Sequence, residues 1–450
     1  MRDDLKARYA EERLPRYTSY PASPHFAADV GADTYAAWLG ALPGTATASL
    51  YLHVPFCRSM CWYCGCHTSI TKHDAPISDY VSVVRREIDL VSARLENLPR
   101  VRHVHLGGGT PTIMAPEAFR DLAGLMRARF PFDPDAELAI EIDPRTLTDE
   151  MTTAIGAAGV TRASLGVQSF DPAVQAAIRR RQSFEATAYA ARGLRAAGVR
   201  GINLDLIYGL PHQTVASCIK TARLCLELRP ERLAVFGYAH VPSFKKHQRH
   251  IDEADLPDGD ARRAQANAIS GVLAEAGYRR IGLDHYARPD DPMGSAQADG
   301  TLRRNFQGYT TDPGDVLIGF GASAIGRMPQ GYIQNEPELR RYAERISRGE
   351  LACAKGYTVT EDDRLRATLI ERIMCDFSVD VGQVCRAHAR RPDEFLGSLG
   401  RLRTLEADGL VEVNGGVLSI PEDARAFVRN VAAVFDAYLG KSGGIHSRVV

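Results

Sequence analysis

The sequence predicts an α/β protein built on a parallel sheet, followed by a mostly helical C-terminal region. Three observations predict it. Six short runs rich in β-branched and aliphatic residues recur at 49–54 (SLYLHV), 101–106 (VRHVHL), 137–142 (ELAIEI), 162–167 (RASLGV), 201–207 (GINLDLI) and 231–236 (ERLAVF). Stretches of helical periodicity separate them, which reads as βα units. Residues with chemical uses collect where the runs end, as they do at the C-terminal ends of strands in such folds.

The elements follow in order. Residues 1–48 hold the turn-rich segment RYTSYP (16–21) and form an N-terminal arm. The first strand runs into a cysteine cluster. In 79–97 the apolar Val81, Val84, Ile88, Val91 and Leu95 recur at three and four residues, the period of an amphipathic helix. GGGT follows the second strand, and a helix is expected over 115–129. Glu141 and Asp143 close the third strand, Gln168 follows the fourth, Asp205 lies late in the fifth, and Ala239 and His240 follow the sixth. Helices are expected over 171–179, 184–197 and 214–228. Residues 280–327 read as a long Pro/Gly/Asp-rich loop of the functional or mobile kind. From about 359 the pattern turns helical. It then gives two short strands around Asn414-Gly415 and a final helix, a winged-helix-like arrangement. The expected domains are an arm over 1–48, a sheet domain over 49–350 and a C-terminal domain over 351–450.

Composition narrows the function. The 450 residues carry 55 Lys+Arg and 55 Asp+Glu, so a strongly basic nucleic-acid binder is excluded as the first reading. No apolar run approaches the ~18 residues of a membrane span. The start, MRDDLKARYAEERLPRY, lacks an apolar core, so no secretory signal is expected. Nine cysteines, an odd count with four bunched at 57–66, fit a reducing cytoplasm and a metal or cluster site, not a disulfide framework. Cys218, Cys225, Cys353, Cys375 and Cys385 sit in apolar or helical segments and read as core thiols.

Cys57-x3-Cys61-x2-Cys64 is the informative spacing. A [4Fe–4S] cluster normally takes four thiolates. Three from one loop leave one iron open to a bidentate small molecule. Zinc held by all four cysteines is the alternative. Against it stand the lack of a second CxxC knuckle and the position of the loop at the rim of the sheet.

CRSMCWYC resembles the CxxxCxxC signature of radical S-adenosylmethionine (SAM) enzymes, in which the aromatic at Tyr63 packs by the adenine. GGGTP (Gly107–Pro111) is similar to that superfamily's motif for the methionine amino group. Within the superfamily the chain resembles the oxygen-independent coproporphyrinogen III oxidase family over nearly its whole length. RYTSYP (16–21), YLHVPFC (51–57), CGC (64–66), HLGGGTPT (105–112), IEIDPR (140–145), LGVQSF (165–170), NLDLIYGLPHQT (203–214), GYAHVP (237–242), DHYARPDD (284–291) and RNFQGYTT (304–311) carry the likeness.

The resemblance implies a partial (βα)6 TIM-type barrel with an N-terminal arm and a helical, winged-helix-like C-terminal domain. It implies a [4Fe–4S] cluster on Cys57, Cys61 and Cys64, with Cys66 beside it but not a ligand, and two SAM molecules. Tyr51, Tyr63, Gly108, Glu141 and Ile325 are then the contacts of the cluster-bound SAM. Gly109, Thr110, Gln168, Arg180, Asp205 and Ala239 are those of the second. Tyr51, His53 and Glu141 are the expected catalytic-site residues. Glu141 and Asp205 can accept from hydroxyls or an ammonium, and Arg180 can grip a carboxylate as a fork. The family usually has Asn where this chain has Arg179, which bears on the placing of Arg180 in the run Arg179–Arg181.

The implied activity is the anaerobic radical decarboxylation of two propionates of coproporphyrinogen III to vinyls, giving protoporphyrinogen IX. It implies a reduced flavodoxin- or ferredoxin-type donor, a monomer, a cytoplasmic setting, and neither nucleic acid nor a membrane span. Four propionates ask for cationic side chains, and Arg16, Arg288, Arg303 and Arg304 are candidates. The arm is expected to cover the barrel mouth, so that deleting it would abolish decarboxylation and spare the iron. Two alternatives remain at this point. A haem chaperone of the same superfamily lacks RYTSYP and CGC and has an HNxxYW-type sequence in place of RNFQGYTT. A DNA-binding regulator would need a basic C-terminal footprint, and residues 361–438 hold 14 acidic against 10 basic residues.

Overall fold

The computed structural model describes residues 3–397, 400–440 and 449. The six expected strands form, each within a few residues of its predicted span: β1 (Thr47–Val54), β2 (Arg100–Gly108), β3 (Phe132–Ile142), β4 (Arg162–Gln168), β5 (Gly201–Tyr208) and β6 (Arg232–Gly237). They pair in parallel in that order, with Leu50 opposite Val104 and Asp205 opposite Ala234.

Residues 280–327 are not one loop. They supply β8 (His285–Ala287), β9 (Val316–Phe320) and most of β10 (Ile325–Met328), and β7 (Arg279–Ile281) begins just before them. β9 lies parallel to β1, so seven strands run in parallel. β10, β11 (Gly331–Asn335) and β12 (Cys353–Thr358) add antiparallel neighbours beyond β9, and β8 and β7 do so beyond β6. The twelve strands run β12-β11-β10-β9-β1-β2-β3-β4-β5-β6-β8-β7. The curve is therefore open, a partial barrel. β12 carries the sheet past residue 350, where the sequence pattern set its end.

Strand alternation decides which face is which. Leu50, Leu52, Leu138, Ile140, Ile202, Leu204 and Leu233 point to the helices and join the largest core cluster. The helices Ala75–Ser92, Pro116–Arg129, Phe184–Ala196 and Val215–Glu227 cover that face through residues such as Val84, Ile88, Leu122, Leu194 and Ala222. Many of the alternate residues are polar and meet one another inside the curve. Ser49 donates to Asp312, His103 faces Glu137 at 3.3 Å, Arg162 donates to Glu137 at 3.2 Å, and Arg232 Nε donates to both oxygens of Asp291 at 2.9 Å. Helices Asp149–Ala157 and Gly259–Glu275, which the periodicity did not separate, complete the layer.

The C-terminal domain has a second core. Its long helix Glu361–Asp376 starts with a reciprocal cap between Thr360 and Asp363. Strand Ser378–Asp380 pairs with the hairpin Glu412–Asn414/Val417–Ser419. The hairpin turns on Gly415 and Gly416 (φ 61° and 90°), one residue later than expected, because both central positions of this turn need positive φ. The expected final helix is broken into Glu422–Phe427, Val428–Ala432 and Ala433–Phe435, of which the outer two are 3-10 turns. The first part of the arm belongs to this core: Tyr9, Leu14, Tyr17 and Tyr20 pack with Leu365, Ile373, Phe427 and Phe435. The rest of the arm, with Tyr35, Trp38 and Leu39, joins the sheet domain. Among the described residues no helix is long and apolar enough to cross a membrane.

One buried carboxylate ties the helix Ala75–Ser92 to the ends of β9 and β11. Glu87, 1% exposed, accepts from Gly321 N (2.6 Å), Asn335 Nδ2 (2.6 Å) and Tyr342 OH (2.7 Å). Burial lifts its pKa from the usual 4.5 to about 7 against these three donors. The folded state thus holds this proton more tightly than the unfolded chain. The resulting stabilisation is full below pH 4.5 and lost as pH rises through about 7. Glu87→Gln cannot titrate and turns an amide NH2 toward these donors. It is expected to cost roughly 1–3 kcal/mol and to flatten the pH dependence, both read from denaturant unfolding across that pH range.

Candidate active site

The C-terminal rim of the sheet gathers most of the predicted residues. β1 ends at Val54, and the loop after it carries Cys57, Cys61 and Cys64, all free thiols. Each sulfur has its own donors. Cys57 Sγ lies 3.3 Å from Thr110 Oγ1 and receives Thr68 Oγ1 at 3.4 Å. Burial raises its pKa, and these two hydroxyls offset part of the rise. Cys61 Sγ accepts from Arg145 Nη2 (3.5 Å) and Arg180 Nη1 (3.7 Å). Cys64 Sγ accepts from the Cys66 backbone N–H at 3.4 Å. Hydrogen bonding from Cys66, with Lys245 and Arg180 nearby, brings the Cys64 thiol from 9.0 down to about 7 against burial.

The loop is held from outside by the segment 245–248. Lys245 Nζ donates to Cys66 O (2.9 Å), Gln248 Nε2 to Tyr63 O (3.0 Å), and His247 Nε2 to Cys64 O (2.7 Å). The run KKHQRH offers no sequence signal for this work beyond its polarity. Tyr63 and Trp62 pack against the cluster of Val174, Ile178, Leu210, Tyr238 and Ile251.

Glu141 is the centre of the glycine run. It accepts from His105 Nε2 (3.1 Å) and Gly108 N (3.1 Å), and these bonds hold its carboxyl below the usual range although burial pushes it up. A Cβ on Gly107 would stand 2.8 Å from Glu141 Oε1, and one on Gly109 would stand 2.6 Å from Phe56 O. Gly108 has φ 114°, and its Cβ would meet the His53 ring at 2.6 Å. The glycines thus let the strand end close around the side chains of the site itself. His53 Nε2 donates to His67 O (2.9 Å), which leaves Nδ1 to accept from Tyr51 OH (2.9 Å). Burial lowers the His53 pKa, so the ring is a neutral strut with both nitrogens engaged.

Across the rim, Arg180 is nearly buried and donates to Gly166 O (2.7 Å) and Asp143 Oδ1 (3.3 Å). Asp143, itself chelated by Arg145, keeps this pair of guanidiniums beside Cys61. Arg180 Nε is buried without a partner. Gln168 ends β4 in the left-handed region (φ 66°), a strained conformation of the kind kept at functional sites. Asp205 accepts from Ser164 Oγ (2.8 Å) and Asn203 Nδ2 (2.7 Å), and burial raises its pKa to about 6. Ile325 opens β10 after the turn that follows β9, at the same rim. His105, Arg145, Thr68 and the 245–248 latch were not singled out from sequence; the alternation of β2 places His105 on the inner face.

Ala239 lies on the wall of a further cavity. A cavity of ≈ 750 Å³ opens at the ends of β5 and β6, lined by eight Lys or Arg and five Asp or Glu side chains. Arg16 and Arg304 are among them, whereas Arg288 pairs with Asp290 and Arg303 with Glu371. Arg262 and Arg429, which sequence did not suggest, line it too. The arm therefore borders the cavity through Lys6, Arg13 and Arg16. Deleting residues 1–48 would also strip Tyr9, Leu14 and Tyr17 from the C-terminal core, so a substitution tests the cover better than a deletion.

The donor set fits an iron–sulfur cluster. Among the described residues no three His, Cys, Asp or Glu side chains stand close enough to hold one metal ion. A cubane needs no such point, because each thiolate takes a different iron. The N–H and O–H donors aimed at Cys57, Cys61 and Cys64 are the kind that stabilise cluster-bound thiolates. The orphaned Arg180 Nε and the ionised Glu141 suit the carboxylate and ammonium of an amino-acid ligand.

An open parallel barrel with three loop cysteines after its first strand and three glycines at the end of its second defines a radical SAM protein; a family model described as Radical SAM superfamily matches residues 51–225. The oxygen-independent coproporphyrinogen III oxidase of Bradyrhizobium diazoefficiens is 60% identical over 450 residues, covering 100% of both chains. That of Escherichia coli K12 is 36% identical over 439 residues, 97% of this chain and 96% of its own. The structure of coproporphyrinogen III oxidase (HemN) from Escherichia coli, a radical SAM enzyme, superposes with a TM-score of 0.90 at 34% identity, over 95% of this chain and 100% of that one. The chain belongs to the oxygen-independent coproporphyrinogen III oxidase family.

Two outcomes follow. Serine at Cys57, Cys61 or Cys64 is expected to remove the visible absorbance and bound iron of the reconstituted protein. Arg179 is exposed at φ 53°, a conformation that Asn and Gly adopt with less strain. Arg179→Gly is expected to stabilise the fold by about 1 kcal/mol, measured by denaturant unfolding.

Proposed function

We propose that this chain catalyses the oxygen-independent oxidative decarboxylation of two propionates of coproporphyrinogen III to vinyls, giving protoporphyrinogen IX in porphyrin biosynthesis. One observation carries the reading beyond family membership. A cavity rich in guanidinium groups opens on the same rim as the three-cysteine loop, so a polyanionic macrocycle and a one-electron centre share one face.

The β-carbon of a propionate holds an unactivated C–H bond that no side-chain base removes at neutral pH. A bound [4Fe–4S] cluster and SAM supply a carbon-centred hydrogen abstractor there. Each propionate gives up one β-hydrogen atom to that abstractor, then CO2, and one electron to a one-electron acceptor, and the C–C double bond remains. The chain's own residues bind and orient. Cys57, Cys61 and Cys64 would hold three irons. Tyr51, Tyr63, Gly108, Glu141 and Ile325 would line one SAM, and Gly109, Thr110, Gln168, Arg180, Asp205 and Ala239 the other. Glu141, ionised by His105 and Gly108, is ready to accept from an ammonium. The His53–Tyr51 pair props the wall beneath it.

The electron that starts each turnover comes from a reduced flavodoxin- or ferredoxin-type protein, and the enzyme works as a cytoplasmic monomer. The C-terminal domain, with more acidic than basic residues, lacks a footprint for nucleic acid and serves to close the cavity.

An anaerobic assay of the reconstituted protein with SAM, a reductant and coproporphyrinogen III tests this. Protoporphyrinogen IX with 5′-deoxyadenosine is the expected outcome. Haem binding without turnover would show a chaperone instead.

A further inference from the structure

Three guanidiniums from three distant parts of the chain meet at one end of the large cavity. Arg16 comes from the arm, Arg304 from the hairpin Arg303–Asn305/Gly308–Thr310, and Arg429 from the short helix Val428–Ala432 of the C-terminal domain. Arg304 is locked in place: its Nε and Nη2 donate to Arg16 O (3.4 and 3.3 Å), and its guanidinium lies 4.4 Å from the centre of the Tyr309 ring. Its Nη1 is buried without a partner. Arg429 is 4% exposed, while Arg16 reaches into the open space and touches Gly237 O at 3.5 Å. Asp284 is the carboxylate facing Arg16 and Arg304, and it is already engaged by His285 Nδ1 at 2.7 Å. Burial first, and then the charges of Arg16 and Arg304, pull the Arg429 pKa down to about 9, with Tyr208 and Tyr17 opposing. Three guanidiniums gathered at one end of a cavity offer forked donors to a carboxylate.

We propose that Arg16, Arg304 and Arg429 form the dock for the propionates that the reaction leaves intact. The inference rests on the coproporphyrinogen reading above and deepens it. The cysteine loop follows β1 and the glycine run closes β2, whereas the arginines stand over the ends of β6 and β8. Strands β2 to β5 separate β1 from β6. The propionates of a tetrapyrrole project from its periphery in several directions. When one of them faces the cysteine rim, those on the far edge face the arginines. The dock then acts as a pivot: it grips carboxylates present in substrate and product alike. It also gives the C-terminal domain a binding residue, Arg429, in addition to its role in closing the cavity.

Porphyrin titrations of the reconstituted protein test the proposal, followed by absorbance or fluorescence. The probes are coproporphyrin III, with four propionates, and protoporphyrin IX, with the two retained ones. The dimethyl ester of protoporphyrin IX, with no free carboxylate, is the control. Arg16→Gln, Arg304→Gln and Arg429→Gln are each expected to weaken both acids by a similar factor, roughly tenfold to a hundredfold, and to leave the ester and the iron content unchanged. Arg429→Lys should recover part of the loss. Because Arg429 is buried, Arg16→Gln at the cavity surface decides the matter if Arg429→Gln does not fold. Unchanged binding of both acids by Arg16→Gln and Arg304→Gln would overturn the proposal. So would a loss confined to coproporphyrin III, which would place the reacting propionates at the arginines. If the unsubstituted protein binds neither acid, the reading of the function falls, and the dock with it.

Discussion

The structure depends on satisfying a polar inner face. Curving a parallel sheet turns one side chain in two toward its own interior, and here many of those residues are charged or otherwise polar. An unpaired charge in such a place is costly. The chain meets the cost by linking neighbours around the curve: Ser49 to Asp312, His103 and Arg162 to Glu137, Asp205 to Ser164 and Asn203, and Arg232 to Asp291. Toward the rim the same habit becomes functional. His105 and Gly108 hold Glu141 ionised, and Asp143 holds Arg145 and Arg180 beside Cys61. Site and scaffold are thus one network, and the bonds that keep the interior paired also aim the groups at the rim.

The second dependence is on closure. An open sheet leaves a mouth, and three pieces of chain share its edge. The arm is divided between the two cores, with Tyr9 and Tyr17 among the C-terminal helices and Trp38 and Leu39 under the sheet. It therefore cross-links the domains. Arg16, flanked by the Leu14 and Tyr17 anchors, is thereby held at the same cavity as Arg304 and Arg429. A polyanion entering here meets cations that no single segment supplies.

Much of this was legible in the sequence, for reasons that can be named. The six parallel strands could be read because each is a short run rich in β-branched and aliphatic residues between helical stretches, and the Cys57, Cys61, Cys64 loop because its spacing is rarely met by accident. The stretch 280–327 was opaque because its strands are short and broken by Gly, Pro and Asp. β9 is apolar throughout and carries no alternation to separate strand from core loop. The hairpin turn was misplaced by one residue because Asn-Gly and Gly-Gly both suit it, and only the pairing of Asn414 with Val417 decides. Arg16 and Arg304 could be picked as candidates, but so could Arg288 and Arg303, whose carboxylate partners are local facts of the fold.

The sequence by itself determined the fold class, the family and the kind of chemistry, because these rest on periodicity and on cysteine and glycine spacing, which are local along the chain. Only the tertiary structure decided which polar groups are ionised, which are struts and which face a ligand. Those properties depend on burial and on partners far apart in sequence: His105 with Glu141, Arg180 with Cys61, and Arg429 with Arg16 and Arg304. A linear pattern cannot carry them, since the energy of a charge is set by what surrounds it in space.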